Sequence, residues 1–261
     1  MKSKARIYKA TRIKEGERQE VSEKVVEEAV LRILLNEQEV VALSCTPDDQ
    51  TYLAVGFLFS EGFLKTKEEI KNIDSSEDRV IIYTDSSYKI PEGSQLRGVF
   101  TSGCGKGKTF ADWKEINPLE DILINLDFNL SPEEMFGVMS QFEKRSELFR
   151  QTAGVHSAAL AQRGGIILFN EDIGRHNAVD KVLGESFLNG MELKEKFLVI
   201  SGRVSADIVS KLWNCGLSMV VSRTAPTSLA VNMAQKLGIT LGGFVRGKRM
   251  NVYSFPVRIK S

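Results

Sequence analysis

The chain has 261 residues, with 35 Lys and Arg against 34 Asp and Glu, a formal net charge of +1 and an isoelectric point near 7.7. That length buries a sizeable core, either in one large domain or in two modest ones. The charge balance excludes a global attraction to nucleic acid or to a membrane surface, so any recognition of anions has to come from local patches.

Residues 1 to about 24 are charged and read as an edge strand with a loose arm. VVEEAVLRILLNEQEVVALSCTP is predicted to form strands around a turn at Asn36-Glu37, ended by Pro47. Leu53, Val55, Phe57, Leu58 and Phe59 then give DDQTYLAVGFLFSEGFL a helical period, with Thr46 or Asp48 as cap and Gly62 as stop. RVIIYT is a strand, and DSSYKIPEGSQLRG leads into a glycine-rich loop. Ser131 and Pro132 are the N-cap and first position of a helix reaching about Phe149, with Glu133 and Glu134 at the positive end of its dipole. The chain is expected to divide near this helix, into a smaller β-rich part over residues 1–130 and a second domain over 131–261.

From Val155 the elements alternate. HSAALAQ and GIILFN read as strands around Arg163-Gly164-Gly165, and NAVDKVLG as a helix stopped by Gly184. FLVISG is a buried strand, SADIVSKLWNCG a helix from Ser205 to a Gly216 stop, and SMVVS a further strand. TSLAVNMAQKLG is a helix closed by Gly238, followed by strands ITLGGFVRG and MNVYSF around Gly247-Lys248. This alternation implies an α/β (α+β) fold with helices covering a sheet.

Of the three cysteines, Cys104 stands apart. It lies in TSGCGKGKTF, residues 101–110, where Gly103, Gly105 and Gly107 let a partner approach and Lys106 and Lys108 favour the thiolate. Cys45 and Cys215 read as small apolar fillers. The three form no CxxC pair and no zinc or disulfide framework, which favours a reducing cytoplasm. No apolar run resembles a signal peptide or approaches the roughly 18 residues that span a bilayer.

EDIGRHNAVDK, SGRVSAD and SRTAPTS each place glycine or hydroxyl residues with an arginine, Arg175, Arg203 or Arg223, between a strand and a helix start, where free N–H groups attract phosphate. FVRGKRMN adds Arg246, Lys248 and Arg249 on a turn. Four such stretches suit a ligand with several phosphates. An Asp172–Arg175 ion pair is the competing structural reading, and a capping or core role is expected for His176. Glu171, Asp172 and Asp180 could form a metal site, but acids this close to arginines read better as their partners. The only near match to a zinc deaminase signature, His156-Ser157-Ala158, lacks the glutamate, and no PCxxC exists.

EDIGRHNAVDKVLG, SGRVSADIVSKLWNCG, APTSLAVNMAQKLGITLGGFVRGKRMNVYS and TPDDQTYLAVGFLFSEGF together resemble the formate dehydrogenase accessory sulfurtransferase family, FdhD, over about residues 25–256. The resemblance implies a cytidine-deaminase-like second half, a cytoplasmic homodimer and a sulfur relay. In that relay a cysteine desulfurase loads a persulfide on Cys104, and the sulfur passes to the molybdenum cofactor, bis(molybdopterin guanine dinucleotide), needed by formate dehydrogenase. The family's cofactor-binding stretch falls on Phe244, Val245, Arg246, Gly247, Lys248 and Arg249, where a guanine nucleotide such as GDP would also fit. No metal of its own, nucleic acid or membrane is implied. Many members carry CGxCG in the loop, whereas Lys106 and Gly107 follow Cys104 and Gly105 here, so a relay has to work with one thiol. The alternative is a chaperone that binds and delivers the cofactor without covalent chemistry; a nucleotide-binding regulator is a third, weaker reading.

Overall fold

The computed structural model describes residues 3–85, 99–100 and 128–260. Among them the mixed α/β class expected from the strand–helix alternation is the observed one, in three sheets with six α-helices.

The N-terminal segment is a hairpin, not an arm: β1 (Ala5–Lys14) pairs antiparallel with β2 (Glu17–Val26) through their whole length. Glu15 and Gly16 both take positive φ, 53° and 85°, the backbone of a tight turn whose twist suits a hairpin. Both faces are largely exposed, so no apolar alternation marked the strands in the sequence.

The second sheet has the order β5-β6-β3-β4-β7. β3 (Ala29–Leu35) and β4 (Gln38–Cys45) form the expected hairpin, and Asn36 and Glu37 at its tip take φ of 48° and 65°. β5 (Asn72–Ser75) and β6 (Arg79–Tyr83) extend one side, and β7 (Val99–Phe100) pairs parallel with β4 on the other. Helix α1 (Gln50–Ser60) covers this sheet with Leu53, Val55, Phe57 and Leu58. Its N-cap is Asp49 rather than Thr46 or Asp48, because those two side chains are committed to Asp172 and Lys181. Gly62 ends the turn after it at φ 77°.

The third sheet has the order β13-β12-β11-β10-β8-β9. β8 (His156–Gln162) and β9 (Gly165–Asp172) are antiparallel, whereas β10 (Phe197–Ile200), β11 (Met219–Ser222) and β12 (Thr240–Arg246) run parallel, and β13 (Arg249–Ser254) returns along β12. Both faces are covered, as a largely parallel sheet requires. Leu198, Ile200, Val220 and Leu241 face α4 (Arg175–Leu188), α5 (Ala206–Cys215) and α6 (Ser228–Lys236). Phe197, Val199, Val221 and Val245 face α2 (Pro132–Arg145).

Ser131 caps α2 in a reciprocal box, accepting from Glu134 N at 3.2 Å while Glu134 Oε2 accepts from Ser131 N at 2.7 Å. The single helix expected to Phe149 is broken at Ser146, which separates α2 from α3 (Glu147–Thr152). Glu171 causes the break, since its carboxylate accepts from the N–H groups of Leu148 and Phe149 at 3.0 and 3.1 Å. Gly184 likewise does not stop α4, which runs on to Leu188. It is where α4 crosses α1: a Cβ there would lie 1.9 Å from Tyr52 O, and one on Gly56 would lie 1.7 Å from Asp180 O.

Candidate functional site

The space beyond the carboxyl ends of parallel strands is the usual ligand position in such sheets. Here a cavity of about 550 Å³ lies there. Ser201 follows β10, Arg223 and Thr224 follow β11, Arg246 ends β12 and His156 begins the antiparallel β8. The opposite wall is the end of α2 with α3, which contributes Glu143, Phe149 and Arg150.

Three of its cations are arginines, and the one lining carboxylate, Glu143, pairs with Arg223 at 3.2 Å on the exposed rim. Arg246 Nε donates to Arg223 O at 3.2 Å, tying the ends of β11 and β12 together. Behind His156 stands Arg175: a Cβ on Gly202 would lie 3.4 Å from both Arg175 Cδ and His156 Nδ1, so the glycine makes room for both side chains. Burial first, and then Arg175 and Arg203, lower the His156 pKa, which leaves a neutral imidazole on an otherwise cationic wall. Such a cavity suits an anion that also has apolar or aromatic surface.

The expected residues divide. Arg223 and Arg246 line the cavity, Arg175 stands behind it and Arg203 is exposed on the neighbouring loop. In the 244–249 stretch Val245 is wholly buried in the α2-side core, and Phe244, at φ 53°, gives its N–H to Thr224 O. Arg246, Gly247, Lys248 and Arg249 are exposed at the strand end and on the turn. Cys104 and the loop 101–110 lie outside the described residues. Ser201, Thr224, Phe149 and Arg150 are additions. The two hydroxyl residues sit within the SGRVSAD and SRTAPTS stretches, while Phe149 and Arg150 carried no signal beyond helical period.

The acids of the EDIGRHNAVDK stretch have structural partners. Asp172, fully buried, accepts from Lys181 Nζ, Thr46 Oγ1, Gly174 N and Asn177 Nδ2, all at 2.9 Å. Asp180 pairs with Lys211 at 3.0 Å, and Glu171 caps α3. The ion-pair partners are thus lysines, where the sequence suggested arginines. No group of three or more potential ligands that could hold a metal occurs among the described residues. His176 is buried at the start of α4, 3.3 Å from the Oγ of Ser205, in the core role expected of it. Cys45 and Cys215 are buried as well; burial, reinforced by Asp172, pushes the Cys45 thiol up to about 12, and burial raises that of Cys215. No helix of the described residues is long and apolar enough to cross a membrane.

The family model FdhD/NarQ matches residues 26–260. The chain is 38% identical to the Sulfur carrier protein FdhD of Bacillus subtilis over 251 residues, 95% of each chain, and equally identical to that of Listeria innocua over 253 residues, 96% of this chain and 97% of the relative. A crystal structure from Desulfotalea psychrophila, provisionally named a formate dehydrogenase accessory protein, superposes with a TM-score of 0.80 at 31% identity, covering 99% of this chain and all of the other. A match this long places the chain in the FdhD/NarQ family.

Proposed function

We propose that this protein is a sulfur carrier for the maturation of formate dehydrogenase. Cys104 accepts sulfur from a cysteine desulfurase and hands it to bis(molybdopterin guanine dinucleotide), held as substrate in the cavity at the ends of β10, β11 and β12. The maturation role is supported by the names of relatives aligned over nearly the whole chain. The observation that carries the binding half is the arginine-lined cavity: Arg223 and Arg246 offer charge-assisted donors to phosphate oxygens, and Lys248 and Arg249 extend the cationic surface along the next turn.

One observation supports Cys104 as the carrier: the other two thiols are buried and held protonated, so they are poor nucleophiles. In the loading step the Cys104 thiolate attacks the outer sulfur of the desulfurase persulfide. A Cys104–sulfur bond forms, the donor's S–S bond breaks, and its electron pair leaves on the desulfurase thiolate. A reducing cytoplasm is the compartment in which such a free thiol persists.

Mass spectrometry after incubation with a desulfurase and cysteine is expected to find one added sulfur on Cys104. Cys104→Ala is expected to abolish rescue of a strain defective in formate dehydrogenase maturation, with Cys45→Ala and Cys215→Ala retaining it. Sulfur on another residue defeats the carrier assignment. The single loop thiol gives weight to the chaperone reading, which Cys104→Ser supporting full enzyme activity would establish in its place.

A further inference from the structure

Phe149 is 42% exposed, one of the few large apolar side chains left on the surface among the described residues, and it sits on the wall of the cavity opposite the strand ends. Its short helix is nevertheless held at several points. Glu171 accepts from Leu148 N and Phe149 N, Thr152 Oγ1 donates to Leu148 O at 2.8 Å, and Arg150 Nη1 donates to Glu143 O and Lys144 O at the end of α2. The ring is therefore an exposed apolar plane on a fixed support, beside Arg150 and across from Arg223 and Arg246.

An aromatic face next to cationic donors is how proteins hold a planar base joined to phosphate: the ring stacks on the base while the cations take the charge. The geometry points to Phe149 as the stacking platform for a fused heteroaromatic ring of the bound ligand, and to Glu171 as the residue that positions it. This assignment rests on the cofactor-binding reading of the cavity. The ring chemistry is the 2-amino-4-oxopyrimidine edge common to guanine and pterin, and the test separates the two sources.

The experiment measures binding of GDP, of inorganic pyrophosphate and of a free pterin to the full chain and its variants by calorimetry. Phe149→Ala is expected to weaken a ring-bearing probe by roughly tenfold and to leave pyrophosphate unchanged. Phe149→Trp retains affinity, and Phe149→Leu, apolar but not planar, does not. Arg223→Ala weakens GDP and pyrophosphate alike. Loss confined to GDP assigns the platform to guanine, and loss confined to the pterin assigns it to the pterin. Glu171→Ala is expected to reproduce part of the Phe149→Ala loss for the same probe, with Glu171→Gln, which keeps one of the two acceptor oxygens, falling between Glu171→Ala and wild type. If wild type binds GDP and Phe149→Ala binds it equally well, with the pterin likewise unaffected, the stacking assignment is overturned and the cavity reading stands. If wild type binds none of the three probes, both are overturned.

Discussion

Lys181 is wholly buried, yet it reaches Asp172 at 2.9 Å, Asp48 at 3.1 Å and the hydroxyl of Thr46 at 2.6 Å. Burial alone would discharge an ammonium, but Asp172 and Asp48 outweigh it and raise the Lys181 pKa. Asp48 is correspondingly held down at about 2: burial opposes this, and Lys181 and Lys4 overcome it. The members of this cluster come from the end of β4 and the residues after it on one side, and from the end of β9 and the first two turns of α4 on the other, so it joins the second and third sheets at one point. Removing one partner of such a group strands the other charges. Lys181→Met is therefore expected to cost roughly 3–5 kcal/mol, read as a lowered urea midpoint with unchanged slope. The pair Lys181→Met with Asp172→Asn should recover part of that loss, because fewer carboxylates are left unpaired. If the double variant is as unstable as the sum of its single changes, electrostatic coupling is not what holds this joint.

Helices α1 and α4 approach so closely that backbone meets backbone, which only paired glycines allow. Gly184→Ala drives a methyl against Tyr52 O and is expected to cost about 3 kcal/mol or more. Gly137, exposed within α2 with open space at its Cβ, is the contrasting case. Gly137→Ala should stabilise by about 0.5–1 kcal/mol, and equal effects at the two glycines in chemical denaturation would contradict the crossing. The same pair marks the limit of what the sequence makes legible. The Ser131 box, the Asn36-Glu37 turn and the Gly216 and Gly238 stops are local chemistry, readable within a few residues. Gly184 looks like a stop until α1 is laid across it, and the break at Ser146 depends on the distant carboxylate of Glu171. The site follows this division. Arg223 follows a strand, Arg246 ends one, and both announce themselves, whereas Phe149 satisfied a helical period and Glu171 read as a partner of the nearby arginines.

Across the whole molecule, the joint between the sheets runs on from Lys181 to Lys211, which binds Asp180 and Glu61, and ends at His176, where the starts of α4 and α5 meet. His176 faces Ser205, Asp207, Lys211, Arg175 and His156. Burial, then Lys211, Arg175 and His156, hold its pKa down at about 3, so the folded protein keeps the imidazole neutral. An unfolded chain protonates it near 6.5. The stability this contributes is fully present above that pH, and it is lost as pH falls toward 3, at about 1.4 kcal/mol per pH unit. Asp180 acts in the opposite sense: burial raises it to about 6, against the pull of Lys211, so it favours the folded state as pH falls from about 6 toward its ordinary value. Asp48, held near 2, contributes a loss only below about 4. The wild-type curve thus mixes these groups with others, His156 among them, and the difference between wild type and His176→Gln singles out one. Urea unfolding at successive pH values should show the wild-type advantage shrinking by about 1 kcal/mol or more per unit between pH 6.5 and 4. A difference that stays constant over that window would mean the imidazole is charged in the folded protein, and the Lys211 side of the joint would then need another counter-charge.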